Sequence, residues 1–242
     1  MNPVTVVTGG SRGIGAACAR HLATAGHDIV FCYRRDTHAA HQTLADIHAT
    51  GRRAIAVPAD TTDPDQVHHL FDTAATLGPI TGLVNNAGVT SPIGPFTDLT
   101  LTDLRHVIDV NLIGYILCAQ QAARRMPTGS AIVNISSAAA TLGSPGEYIH
   151  YAAAKAATDT LTIGLAKELA PHGIRVNAVA PGIVRTDLHT ISGVPDRPDR
   201  AADRIPMGRP GEPDEIAGAV TWLLSDQASY TTGTVLRVAG GL

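Results

Sequence analysis

Tyr151 and Lys155 stand four residues apart in the run Tyr151-Ala152-Ala153-Ala154-Lys155, and on a helix that spacing sets both side chains on one face within mutual reach. An isolated phenol titrates near a pKa of about 10 and is a poor donor or acceptor of a full proton at neutral pH. A neighbouring ammonium favours the phenolate, each unit of lowering being worth about 1.4 kcal/mol. The pair is therefore a candidate acid/base centre, although the same spacing also describes an ordinary helix surface. Lysine is scarce in this chain: of 18 basic residues, only Lys155 and Lys167 are not arginine. A compact ammonium on a flexible stem suits such a site better than a planar guanidinium. Ser137 favours the chemical reading. It follows the apolar run Ile132-Val133-Asn134-Ile135, which places its hydroxyl at the carboxyl edge of a sheet, where open α/β proteins bind ligands.

A second set of residues suits a phosphate. Thr8-Gly9-Gly10-Ser11-Arg12-Gly13-Ile14-Gly15 lies between an apolar β-branched run and a helical pattern, where exposed backbone N–H groups and the positive end of a helix dipole meet a dinucleotide pyrophosphate. Its spacing, G-x-x-x-G-x-G, departs from the standard G-x-G-x-x-G, and a turn that merely packs helix on strand is the plainer alternative. The next strand ends in Cys32-Tyr33-Arg34-Arg35-Asp36. An acid at that place holds a ribose 2′-hydroxyl, whereas an arginine accommodates a 2′-phosphate. Arg34 with Arg12 can clamp a phosphate by charge-assisted hydrogen bonds, and Tyr33 or Arg35 can stack near an adenine. NADP(H) is the expected cofactor. Asp36 keeps NAD(H) as the lesser alternative, with Arg34 and Arg35 then solvated loop residues.

These groups need a scaffold that brings several strand ends together. Short β-branched runs near Val4 to Thr8, Asp28 to Tyr33, Arg53 to Val57, Gly82 to Asn85, Ser130 to Ile135, Arg175 to Val179 and Thr234 to Val238 alternate with helical patterns. That alternation predicts an α/β fold, a doubly wound Rossmann-type parallel sheet of seven strands with helices on both faces. Ile14, Cys18, Leu22 and Ala25 recur at helical spacing with Gly26 as the stop, and Asp63-Pro64 reads as an N-cap and first helical residue. The chain reads as one domain over residues 1–242, with a proline- and glycine-rich excursion over residues 186–213. Its 242 residues are 44% hydrophobic and 16% charged, which excludes disorder and collagen. A net charge of −3 without runs of like charge gives nucleic acid and membrane surfaces no footing as partners. Cys18, Cys32 and Cys118 fit neither a disulfide framework nor a metal site, and the eleven histidines show no metal spacing. Met1-Asn2-Pro3 lacks a signal-peptide pattern, so a cytoplasmic protein is expected.

Taken in order, Thr8 to Gly15, Asp60, Asn85-Asn86-Ala87-Gly88, Asn111, Ser136-Ser137, Tyr151 to Lys155 and Pro181-Gly182-Ile183-Val184-Arg185-Thr186 resemble the short-chain dehydrogenase/reductase family over the whole chain. The branch most alike comprises bacterial enzymes similar to β-ketoacyl-ACP reductases and glucose dehydrogenases. The resemblance implies an NADP(H)-dependent carbonyl reductase or alcohol dehydrogenase. In it Ser137 bonds the substrate oxygen, Tyr151 is its general acid/base, Lys155 grips the nicotinamide ribose, and Asn111 holds a water linking Lys155 to solvent. Ser136 is a lesser candidate for the serine role, because Ser137 precedes Tyr151 by 14 positions, one more than in many relatives. The implied cofactor contacts are Gly9, Ser11, Arg12, Gly13, Ile14, Gly15, Tyr33, Arg34, Arg35, Asp60, Thr61, Asn86, Ala87, Gly88, Tyr151, Lys155, Pro181, Gly182, Val184 and Thr186. The excursion becomes a substrate lid, and a homotetramer or homodimer follows, with the long central helices and the Trp222 to Leu242 region as contact surfaces. An NAD-dependent sugar or polyol dehydrogenase and a dinucleotide-binding regulator without turnover are the alternatives. His150 is expected at the pocket rim or in solvent. Arg197, Arg200 and Arg204 are expected on a solvated surface, neutralised by Asp196, Asp199 and Asp203.

Overall fold

In the computed structural model, described over residues 2–242 apart from the side chains of His189 and Ile191, seven β-branched runs form one sheet. The strands are β1 (Val4–Val7), β2 (Asp28–Tyr33), β3 (Ala54–Pro58), β4 (Ile80–Asn85), β5 (Ala131–Ile135), β6 (Arg175–Pro181) and β7 (Val235–Val238). Their order is β3-β2-β1-β4-β5-β6-β7, and each neighbouring pair is parallel, for example Val6↔Val30 and Val6↔Leu83. This is the doubly wound arrangement expected from the alternation, with the strand order reversing on either side of β1. β4 starts two residues earlier than the sequence suggests and β6 runs two further, as far as Pro181.

Among the described residues, ten α-helices connect or follow the strands: α1 (Gly13–Thr24), α2 (Thr37–Ala49), α3 (Pro64–Ala75), α4 (Leu101–Ile108), α5 (Gly114–Arg125), α6 (Ala139–Leu142), α7 (Ile149–Leu169), α8 (Leu188–Ile191), α9 (Arg197–Arg200) and α10 (Pro213–Leu224). α1 ends as its sequence directs, with Gly26 at φ +100°, a value that L side chains rarely adopt. At the start of α3, Asp63 Oδ1 accepts from the backbone N–H groups of Asp65 at 2.9 Å and Gln66 at 3.2 Å. One face of the sheet is sealed by Leu70, Phe71, Cys118 and Ala166 from α3, α5 and α7. The other is sealed by Cys18, Leu22, Ile47 and Ile216 from α1, α2 and α10. Burial on both faces explains why the strands read as nearly continuous apolar runs. All three cysteines are buried and free, and among the described residues no helix is long and apolar enough to cross a membrane.

The excursion holds α8 and α9. It is anchored where Ile93 N–H donates to the Ser192 carbonyl at 3.2 Å and where Pro198, Ala201 and Ile205 are buried.

Candidate active site

A cavity of about 890 Å³ opens at the carboxyl ends of the strands, reaching from Tyr33 past Gly9 and Asn86 to Ser137, Tyr151 and Thr186. Residues of the β1–α1 turn line it. Gly9 (φ +64°) passes so close to the next turn that a Cβ on it would come within 3.0 Å of Ala87 Cα, and a Cβ on Gly13 (φ +53°) would lie 3.3 Å from the Thr186 methyl. Thr8 and Asn86 tie the two turns together. Asn86 Nδ2 donates to the Thr8 and Gly9 carbonyls at 2.9 and 3.1 Å, while Thr8 Oγ1 accepts from the N–H groups of Asn86 and Ala87 at 2.9 and 3.0 Å. The Asn86 side chain thus braces the glycine turn. Gly15 corrects the expectation for it: a Cβ there would lie 2.2 Å from the Gly9 carbonyl oxygen, so it serves the close packing of helix on turn and does not line the cavity.

The charged rim lies at the β2 and β3 ends. Arg12, Arg34 and Arg35 line the cavity with Ser11, Ile14, Asp60 and Thr61. Arg12 Nη1 is 3.9 Å from Asp187, and Arg34 Nε is 3.1 Å from Asp60, both arginines being about half exposed. Burial raises the Asp60 carboxyl, but bonds from Thr62 N–H and Oγ1 and the charge of Arg34 outweigh it and hold Asp60 below its ordinary value. Asp36 is engaged as the α2 N-cap, accepting from Ala39 N–H at 2.9 Å. A glycine cradle beside two half-exposed arginines fits a dinucleotide carrying a further phosphate. Ala87, Gly88, Pro181, Gly182 and Val184 complete the lining at the β4 and β6 ends.

At the β5 edge, Ser137 and Tyr151 both line the cavity, with the Ser137 side chain near enough to the Tyr151 phenol to favour its ionised form. Ser137 Oγ accepts from Ala139 N–H at 3.1 Å. Ser136, although it touches the cavity, is turned into the protein: it is 2% exposed and its Oγ donates to the Lys155 carbonyl at 3.3 Å. Burial pushes the Tyr151 phenol well above its ordinary value, with Ser137 opposing. Burial pushes Lys155 down to about 7, with Asp159 opposing. Burial and the neighbouring Tyr148 set the direction for Tyr151, and the expected lowering by Lys155 is not seen. Lys155 Nζ lies 5.7 Å from the Tyr151 ring centre and donates to Tyr115 Oη at 3.1 Å and the Ile135 carbonyl at 2.7 Å.

Asn111 lies in the interior. It occupies a single wider π-helical turn, Asp109–Ile113, between α4 and α5, a feature common at functional sites. Fully buried, it does not line the cavity. Its Nδ2 donates to the Val89 and Val107 carbonyls at 2.8 Å each, while Oδ1 has no partner and lies behind Gly88, 2.9 Å from where a Cβ would be.

The cavity wall beside Tyr151 and its surroundings hold residues that sequence reasoning passed over or misplaced. Tyr148 packs edge-on against Tyr151, with ring centres 5.3 Å apart. Arg197 stacks over Tyr148 at 5.0 Å and pairs with Glu147 at 2.6 Å. At 11% exposure Arg197 is not a solvated lid residue. Of the acidic residues expected to neutralise the excursion's arginines, Asp199 pairs instead with Arg185 at 2.7 Å. Arg200, 3.8 Å from Asp196 and 68% exposed, matches the solvated reading. His150 is neither solvent-facing nor at the rim: it is buried in the first turn of α7, its Nε2 2.8 Å from Ser91 Oγ. The helical spacing of Tyr148 and Tyr151 was the available signal for the first of these; the Glu147–Arg197 pair spans 50 positions and has none.

The comparisons with known proteins agree with this geometry. The family model described as Enoyl-(Acyl carrier protein) reductase matches residues 9–242, and the chain belongs to the short-chain dehydrogenase/reductase family of Rossmann-fold oxidoreductases. It is 45% identical to the uncharacterized oxidoreductase YgfF of Escherichia coli K12, over 98% of this chain and 99% of that one. It is 41% identical to 3beta-hydroxysteroid dehydrogenase 1 of Eggerthella lenta, over 98% of this chain and 92% of the relative. Among solved structures, a short-chain dehydrogenase from Burkholderia cenocepacia J2315 in complex with NADP is 38% identical and superimposes with a TM-score of 0.93, over 99% and 97% of the two chains.

Proposed function

We propose that this oxidoreductase interconverts a carbonyl and a secondary alcohol with NADP(H) as cofactor. The observation that carries the reading is the Ser137–Tyr151 hydroxyl pair in the same cavity as the glycine turn and its arginine rim. Bound NADPH supplies the hydride that reduces a carbonyl carbon. Ser137 orients the carbonyl oxygen. Tyr151, kept protonated by burial, gives that oxygen its proton, and in the reverse direction takes it back. Lys155 holds the ribose side of the cofactor and offers positive charge beneath Tyr151. Asn111, with its unpartnered oxygen behind Gly88, is the residue to hold a water linking Lys155 to solvent. Arg12 and Arg34 take the 2′-phosphate, a preference favoured by the commitment of Asp36 to its helix cap and by the NADP found with the Burkholderia relative. Exposed Leu101, Ile113 and Ile163 on the central helices, together with Trp222 and Tyr230, supply the faces for a homotetramer or homodimer.

Loss of NADPH absorbance in the presence of ketones, β-ketoesters, diketones and quinones tests the activity. Turnover of at least one class is expected, and tight NADPH binding without turnover across all four would overturn it. Fluorescence titration should give tighter binding for NADPH than for NADH; equal affinity would contradict the arginine clamp.

A further inference from the structure

Lys155 is 2% exposed, yet the two oxygens bonded to its Nζ are both neutral: Tyr115 Oη and the Ile135 carbonyl. Pairing between β4 and β5 ends at Asn85↔Asn134. The next carbonyl, that of Ile135, accepts from Lys155 and also from the Tyr115 hydroxyl at 3.1 Å. With its own proton committed to Ile135, the Tyr115 oxygen turns a lone pair to Lys155. The ring contributes as well, lying with its centre 4.6 Å from Nζ, within range of a cation–π attraction. Tyr115 is itself 1% exposed, and burial keeps its phenol protonated far above neutral pH.

We propose that Tyr115 is a positioning residue for the reaction: its hydroxyl and ring seat the Lys155 ammonium against β5, favour its charged form, and leave its third N–H for the cavity. This rests on the assignment of Lys155 made under Proposed function. The titratable groups around the ammonium are Tyr115 from α5 and Tyr151 and Asp159 from α7; β5 offers the Ile135 carbonyl and the π-turn only the amide of Asn111. Asp159 favours the charged form and burial opposes it. A hydrogen bond to the charged form favours that form, so losing the Tyr115 oxygen must lower the proton affinity of Lys155.

The scarcity of lysine makes the test direct. Protein labelled with ε-¹³C-lysine gives two side-chain signals, from Lys155 and Lys167, and Lys167→Arg assigns them. The Lys155 titration midpoint should fall by about one unit in Tyr115→Phe, which keeps the ring and deletes the acceptor. It should fall further in Tyr115→Leu, which removes both. The pH at which turnover is lost on the alkaline side should move down with it. An unmoved or raised midpoint in Tyr115→Phe overturns the seat. Should Tyr115→Leu not fold, Tyr115→Phe, which deletes a single oxygen, carries the test alone. The midpoint is read without cofactor or substrate. A shifted midpoint in a protein that turns over no carbonyl supports the seat and defeats the oxidoreductase reading, whereas turnover with an unmoved midpoint defeats the seat only.

Discussion

Lys155 and Arg197 line the same cavity, one from the β5–α7 edge and one from the excursion, and they are held in contrasting ways. Arg197 has a carboxylate partner in Glu147 and an aromatic face in Tyr148, so its charge is fixed. Lys155 is more deeply buried and is bonded to neutral oxygens, and burial brings its titration to about 7. A guanidinium stays charged wherever it is placed, whereas a desolvated ammonium becomes a group that can gain and lose a proton near neutrality. The excursion thus uses charge as structure, while the β5 edge keeps a buried ammonium, the one proposed to serve the chemistry, at a cost in stability.

Within this comparison, Lys155→Met gives the largest effect and tests that cost. Turnover should fall by about 10²-fold or more, as for loss of an acid/base partner, while the folded protein becomes more stable. The sign follows from the titration. Below about 7 the lysine is charged in both folded and unfolded chains, and the folded state bears the full cost of burial; above its ordinary 10.5 it is neutral in both. The gain should therefore be about 2–4 kcal/mol at acid pH and fade as pH rises between those limits. Thermal melts across that range check it, and a gain independent of pH would break the comparison.

Glu147→Gln should act in the opposite sense. It strands Arg197 and should cost about 1–3 kcal/mol, and the double variant Glu147→Gln/Arg197→Met should recover much of the loss in a double-mutant cycle of melting temperatures. Additive losses would mean that the pair is not coupled. The smallest effect belongs to Arg200→Ala on the outer face of the excursion, where an exposed pair at 3.8 Å should leave the melting temperature unchanged within error.

The same contrast separates what the sequence reveals from what it conceals. The seven strands, the Asp63 cap, the glycine turn and the gathering of Ser137, Tyr151 and Lys155 at one cavity follow from local periodicity and from the rule that strand ends bind ligands. Side-chain direction does not. A lysine stem reaches either of two tyrosines, and Lys155 bonds Tyr115, which follows the π-turn at the start of α5, beside the Ile135 carbonyl that lies past the last Asn85↔Asn134 pair. Arg197 looked neutralised by its acidic neighbours in sequence, but its partner is brought in by the docking of the excursion. Gly15 was read as a contact residue because its motif carries contacts; the place where its Cβ would be is filled by the Gly9 carbonyl.

The central claim is that one hydroxyl, that of Tyr151, moves the proton in a cavity built to hold NADP(H). Its most direct test is NADPH consumption by Tyr151→Phe, measured beside its NADPH dissociation constant and with whichever carbonyl class the unsubstituted protein turns over. Turnover reduced by about 10³-fold with NADPH affinity within a few-fold of the parent is the predicted result. Retention of substantial turnover by the phenylalanine variant would contradict it.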